Sequence, residues 1–243
     1  MNKTEKYRTI IDTLHDYRKH LESQGHTVYA VMLKGSQNYN LDDDESDIDA
    51  NAIIIPTLAD LRKNESYKYT FPTGEITCHN IYTFAEIVAK GNPQWIEVCQ
   101  TKYKIGKSLD MFKNYKVNPS ALKGMTMEKV HAFSKLYPSR ASIVEKYGYD
   151  PKQLHHIIRL VDVLESGENV VAYEGNERER LIAIKRGSLP IEAAGLLKND
   201  YIKRLDAIYE EKKLTYEQQP VDYETLDNIV MHEYISSYRK GLL

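Results

Sequence analysis

Cysteine is almost missing. Cys78 and Cys99 are the only two, far apart and not in a CxxC pair, so neither a disulfide framework nor a cysteine-rich zinc site is available, and both read as reduced, partly buried thiols. An excess of one charge is missing too. With 33 basic against 35 acidic residues the formal net charge is -2, so the bulk balance announces no polyanion, and any electrostatic partner must be recognised locally. The opening stretch, MNKTEKYRTIIDTLHDY, is polar and of helical period. It lacks the continuous apolar run of a signal peptide or membrane span, so the expectation is a soluble, cytoplasmic chain without a membrane partner. No Gly-Lys-Ser/Thr follows a glycine-rich run, and neither a kinase signature nor HExxH occurs, which excludes the familiar phosphate-loop and metalloprotease chemistries. An EF-hand register starting at Asp42 fails, because Asp47 stands where glycine is needed and Ile53 where glutamate is.

What is present changes character along the 243 residues, a length sufficient for a real core. Tyr7, Ile10, Ile11, Leu14 and Leu21 recur at helical spacing over about residues 4–23, with Gly25 as the stop. TVYAVMLKG reads as a buried strand, DIDANAIIIP as a second ending at Pro56, and GEITCHNIYTF as a third, alternating from Glu75 onward. TFAEIVAKGNPQWIEVCQ returns to helical period around a Gly-Asn-Pro break. After about Asn118 every segment reads as helix, and Asp150-Pro151 makes a cap and first-turn pair at the head of one of them. With no internal repeat and no low-complexity linker, this change of period alone divides the chain into 1–118 and 119–243. The fold class expected is α+β, a small mixed sheet followed by an all-helical domain.

Into this frame falls KGSQNYNLDDDESDID, residues 34–49, which crowds five Asp and one Glu into eight positions. Asp47 and Asp49, two apart at the opening of a strand, project to one side. Two carboxylates held close repel one another unless a cation sits between them, which points to a divalent-metal site, and hard oxygen ligands favour Mg2+ or Mn2+ over zinc. Gly35 lets backbone approach a ligand, and Ser36 adds a hydroxyl and exposed amides suited to phosphate oxygens. Phosphate beside metal is a nucleotide site. Asp42, Asp43, Asp44 and Glu45 read as a flexible, solvated turn carrying surface charge.

The stretch GSQNYN...ESDIDANAI resembles the glycine-serine, Asp-x-Asp signature of the DNA polymerase beta nucleotidyltransferase superfamily. FAEIVAKGNPQWIEV and KYGYDPKQLHHIIRLVDVLESGE resemble, more narrowly, a predicted nucleotidyltransferase family of bacteria and phages linked to RNA repair. The three blocks occur in order from about residue 30 to 190. One departure is Gln37, where relatives commonly carry Arg. The resemblance implies a small mixed sheet with Asp47 and Asp49 on one strand and a third acidic ligand on a neighbour. Glu75 is the choice by spacing, with Thr77 or His79 in that place as the metal-poor alternative. It also implies a nucleoside triphosphate held by Gly35, Ser36 and Asn38, and two-ion chemistry that moves a nucleoside monophosphate to an acceptor hydroxyl. RNA, especially a tRNA-like 3′ end, is the favoured acceptor; a protein hydroxyl, a small molecule, or nucleotide binding without turnover are the alternatives.

In DPKQLHHIIRL, Leu154, Ile157, Ile158 and Val161 form the apolar face. Lys152, His156 and Arg159 fall on another at i, i+4 and i+7, either a solvated basic stripe or, as the resemblance implies, a triphosphate-facing one. Adjacent His155 and His156 diverge by about 100° on a helix and make a poor metal pair. Trp95 reads as core, Glu97 as a brace, and Lys185 and Arg186 as added charge or a helix C-terminus.

Overall fold

The computed structural model describes residues 3–43, 46–57, 60–61 and 66–239. A helix, α1 (Lys3–Ser23), leads into β1 (Thr27–Lys34), a 3-10 turn (Ser36–Tyr39) and β2 (Asp49–Ile55); a hairpin of β3 (Tyr67–Phe71) and β4 (Gly74–Asn80) follows. Then come α2 (Ile81–Ala89), α3 (Pro93–Gln100) and the short β5 (Lys104–Gly106). The five strands form one mixed sheet in the order β3-β4-β2-β1-β5, with β2 and β4 parallel and the other pairs antiparallel. The fold is α+β with a helical C-terminal region.

The continuous apolar run of β2 follows from its position, flanked by strands and covered on both faces. Ala50, Ala52 and Ile54 pack under Ile10, Leu14, Tyr17 and Leu21 of α1. Ile53 and Ile55 face Ile81, Phe84, Val88 and Ile96 of α2 and α3. Each such buried isoleucine contributes about 1.5–3 kcal/mol. Cys78 and Cys99 are free and buried on opposite faces of the sheet.

GEITCHNIYTF, expected to be one strand, breaks at Asn80, whose Oδ1 accepts from the Thr83 amide at 2.9 Å and starts a helix. The same device recurs at Asn92-Pro93, Asn118-Pro119 and Asp150-Pro151. The last two open α4 (Pro119–Ala132) and α6 (Pro151–Ser166), with α5 (Ala141–Tyr147) between them and α7 (Gly175–Lys185), α8 (Ile191–Leu214) and α9 (Tyr223–Arg239) after. Helix α6 is the axis of the helical region. Its Leu154, Ile157, Ile158 and Leu160 are buried against Leu122, Leu181 and Leu205 of α4, α7 and α8. Tyr39 and Leu41, from the loop after β1, belong to this core, while Leu226 and Val230 of α9 return to the core over the sheet. Among the described residues no helix is long and apolar enough to cross a membrane.

Candidate active site

The C-terminal end of β1 and the N-terminal ends of β2 and β4 meet at one edge of the sheet, and a cleft of about 1080 Å³ opens between this edge and the helical region. Gly35 turns the chain into it. Its φ of 96° and ψ of -157° suit glycine alone, and an added Cβ would meet nothing within 4 Å. Ser36 and Gln37 line the cleft beside it.

Asp47 and Asp49 line the same wall. Strand β2 begins at Asp49, so Asp47 lies just ahead of it, exposed, and its carboxylate makes no ion pair among the described residues. Three contacts fix this segment. Gln37 Nε2 donates to the Asp47 carbonyl at 2.6 Å; the Ile48 amide donates to the Thr73 carbonyl at 2.8 Å; the Tyr17 hydroxyl donates to the Ile48 carbonyl at 2.9 Å. Gly74 permits the approach, because a Cβ there would stand 2.6 Å from the Ile48 carbonyl oxygen. Burial raises the Asp49 carboxyl above its ordinary range, while the Glu75 amide, donating to Oδ1 at 3.0 Å, and Lys34 pull it back. Gln37, which stands where Arg was the expected residue, thus holds the backbone of the acidic pair.

Glu75 sits beside Asp49 in the sheet but does not line the cleft. Lys68 and Lys34 bind its two oxygens at 2.6 and 3.0 Å and hold its carboxyl below the ordinary range. Of the alternatives for that place, His79 is buried with its ring edge-on to Trp95, 5.0 Å between centroids, and burial, then Lys34, lower its pKa. Among the described residues no group of three or more His, Cys, Asp or Glu is placed to hold a metal ion.

The facing wall is basic. Lys152, exposed on the first turn of α6, joins Lys129, Lys146 and Arg186. His155 and His156 line it as well, and burial with the neighbouring cations Arg159, Lys185 and Lys152 pushes His155 down to about 3. Burial, then His155 and Arg159, also lower His156. Arg159, expected at the phosphates, lines the cleft together with Glu97, and its guanidinium is already paired there. Its Nη1 donates to Glu97 Oε2 at 2.9 Å and its guanidinium lies 4.2 Å above the centre of the Tyr39 ring. Burial pushes the Glu97 carboxyl up, against Arg159, Asn38 and the Gly35 amide. Asn38, expected at the nucleotide, does not line the cleft. Its Nδ2 donates to the Leu33 carbonyl and Glu97 and its Oδ1 accepts from Thr101, so its polar atoms are occupied by the scaffold.

Asp42 and Asp43 are not the solvated surface charges that composition suggests. Lys6 of α1 pairs with Asp42 at 2.5 Å and Lys185 of α7 with Asp43 at 2.9 Å, and all four side chains are less than a fifth exposed. Arg178 also donates to the carbonyls of Asn40 and Asp42. Asp44 and Glu45 lie outside the described residues. Lys34, Lys129 and Lys146 had drawn no attention in the sequence. Only Lys34 carried a usable signal, a charge at the end of a buried strand next to Gly35.

No protein-family model matches the chain, and no curated protein matches it. Among solved structures, the crystal structure of a nucleotidyltransferase-like protein from Exiguobacterium sibiricum 255-15 is similar at 15% identity, over 76% of this chain and 70% of that one, with a TM-score of 0.30. That likeness is too loose to carry an argument, so the functional reading rests on the cleft.

Proposed function

We propose that the chain is a metal-dependent nucleotidyltransferase, moving a nucleoside monophosphate from a nucleoside triphosphate to an acceptor hydroxyl. The observation that carries this reading is a single cleft with Asp47 and Asp49 on one wall beside the Gly35–Ser36 turn and Lys129, Lys146, Lys152 and Arg186 on the other. The donor set fits a hard ion. Mg2+ is commonly held by one or two carboxylates together with substrate phosphates, and Asp47 and Asp49 offer such oxygens. When bound, the ion supplies charge neutralisation at the triphosphate and activation of the attacking hydroxyl. The chain's own residues do the positioning. Gly35 admits phosphate to the backbone, Ser36 offers a hydroxyl, and the exposed Lys152 attracts the outer phosphates as a point charge. Glu97, Asn38 and Arg159 hold the loop. By the sequence resemblance the acceptor is RNA, a tRNA-like 3′ end first.

The test is transfer of label from each of the four α-labelled triphosphates to RNA with Mg2+, alongside protein acceptor and buffer-only controls. Asp47→Ala and Asp49→Ala should each abolish transfer; the change at the exposed Asp47 should leave unfolding unchanged, while Asp49→Ala, which strands the Glu75 amide, should cost about 1 kcal/mol. Equal labelling by the double variant would refute the enzyme assignment. One observation favours a second reading, a nucleotide-binding regulator without turnover. Glu75 is held by two lysines and leaves the carboxylate pair without a third member. Tight triphosphate binding with no labelled product in any arm is its signature.

A further inference from the structure

At the cleft edge of the sheet, charged side chains from four strands stand side by side. Lys34 on β1 is the cross-strand partner of Asp49 on β2, and Glu75 on β4 precedes Ile76, which pairs with Ala50. Lys68 on β3 completes the row, beside the Thr70–Glu75 pair. Glu75 Oε1 faces Lys34 Nζ at 3.0 Å and Oε2 faces Lys68 Nζ at 2.6 Å, so both oxygens carry an ammonium partner. The Lys34 side chain is only 14% exposed, and it lines the cleft with Asp49, whereas Glu75 does not.

We infer that the acidic centre takes one divalent ion, at Asp47 and Asp49, and that the Lys34 ammonium, fastened by Glu75, holds the electrostatic place of a second. Counting charge makes the case. Three carboxylates set against two ammonium groups leave a single negative charge, which one divalent ion turns into a single positive one. Three bare carboxylates need two divalent ions to reach that same balance. A second ion here would have to strip two charge-assisted bonds from Glu75 and then sit beside the displaced ammonium groups. Glu75 is therefore a positioning residue acting through Lys34, and Lys34 presents a fixed positive charge to whatever anion enters beside Asp49. This rests on the proposed reading that Asp47 and Asp49 hold a divalent ion.

The experiment is Mn2+ binding to the full chain without nucleotide, counted by electron paramagnetic resonance and located by anomalous scattering from crystals soaked in Mn2+. The wild type should take one ion at Asp47 and Asp49, with Glu75 still on Lys34. Glu75→Gln should keep that stoichiometry and change affinity by no more than about threefold, while Asp49→Asn loses about tenfold or more. Lys34→Gln combined with Lys68→Gln, which leaves three bare carboxylates, should raise the count to two. Two ions in the wild type, a wild-type scattering peak at ligand distance from Glu75, a Glu75→Gln loss as large as that of Asp49→Asn, or a count that stays at one when Lys34 and Lys68 are both replaced by Gln would each overturn the inference. No Mn2+ bound at all would overturn it together with the metal reading of the site. One bound Mn2+ without any nucleotidyl transfer would count against the proposed reaction alone.

Discussion

Arg159→Met removes the guanidinium that faces Glu97 and keeps much of the stem's volume, so its cost measures the buried pair. The partners are 2.9 Å apart, with side chains 10% and 4% exposed. Once Arg159 is gone, Glu97 keeps Asn38 Nδ2 at 3.3 Å and the Gly35 amide. Leaving a buried charge without its partner costs about 3–5 kcal/mol. The carboxylate has an escape, which is to take up a proton. From an ordinary Glu value of about 4.3, that costs about 3.7 kcal/mol at pH 7, at about 1.36 kcal/mol per pH unit. Protonation therefore caps the penalty, and the expected loss at pH 7 is about 3–4 kcal/mol.

The cap also gives the pH dependence. In the variant, Glu97 is protonated in the folded chain and ionised in the unfolded one between about pH 4.3 and 7, so the native state binds more protons and stability rises as pH falls. The deficit relative to wild type should shrink over that range by at most about 1.4 kcal/mol per pH unit, and by less where Glu97, raised by burial in the wild type too, takes up protons there. Urea unfolding of wild type, Arg159→Met, Glu97→Gln and the double variant at pH 7 and pH 5 is the assay. The double variant should be more stable than Arg159→Met alone, because no carboxylate remains to be stranded. A loss below about 1 kcal/mol for Arg159→Met, as for an exposed pair, or single-variant losses that simply add, would refute the reasoning.

Lys152→Ala should raise the apparent KM for triphosphate by about tenfold, the worth of one charge-assisted bond, with Tm unchanged; steady-state kinetics and a thermal melt check both halves. Gly35→Val forces a β-branched residue to a φ of 96°, so it should cost about 1–3 kcal/mol of strain and weaken triphosphate binding measured by calorimetry. His155 stays neutral in the folded chain down to about pH 3, whereas unfolded histidine protonates near 6.5. The unfolded state then binds the extra proton between those values, and stability should fall by up to about 1.4 kcal/mol per pH unit below pH 6.5; the difference between wild type and His155→Phe in acid unfolding curves isolates this contribution.

The elements that were legible are those whose signal is local. Helix α1 and strand β2 carry their burial in their own spacing, and Asp150-Pro151 marks the start of α6 by its cap chemistry. The same chemistry stood at Asn118-Pro119, so α4 was readable from residue 119. Strand β3, YKYTF, alternates at period two with Tyr67, Tyr69 and Phe71 partly buried against the α1 face, a signal that was present and unused. Strand β5 spans three residues and owes its existence to pairing with β1, so it has no period to detect. The break between β4 and α2 turns on one Asn80 side chain inside an apolar run.

In the candidate site, Gly35, Ser36, Asp47 and Asp49 stand close in sequence and line one cleft, so their grouping was legible. What could not be found is which charge each remaining group would meet. Glu97 and Arg159 are 62 positions apart; Glu97 read as a brace with no partner named, and the fold supplies that partner in Arg159. The acidic stretch shows the same principle from the other side. Read alone, its charges need solvent or metal. In the fold Lys6 arrives from α1 for Asp42, and Lys185 and Arg178 arrive from α7 for Asp43 and the loop carbonyls. Those charges therefore divide by task. Asp42 and Asp43 tie the loop to two helices far apart in the chain, Asp43 at the cleft's margin, and Asp47, left without an ion pair among the described residues, faces the cleft with Asp49. Among the described carboxylates of the stretch, those that pair with Lys6 and Lys185 are fixed by where α1 and α7 pack, a fact of topology that no local pattern encodes.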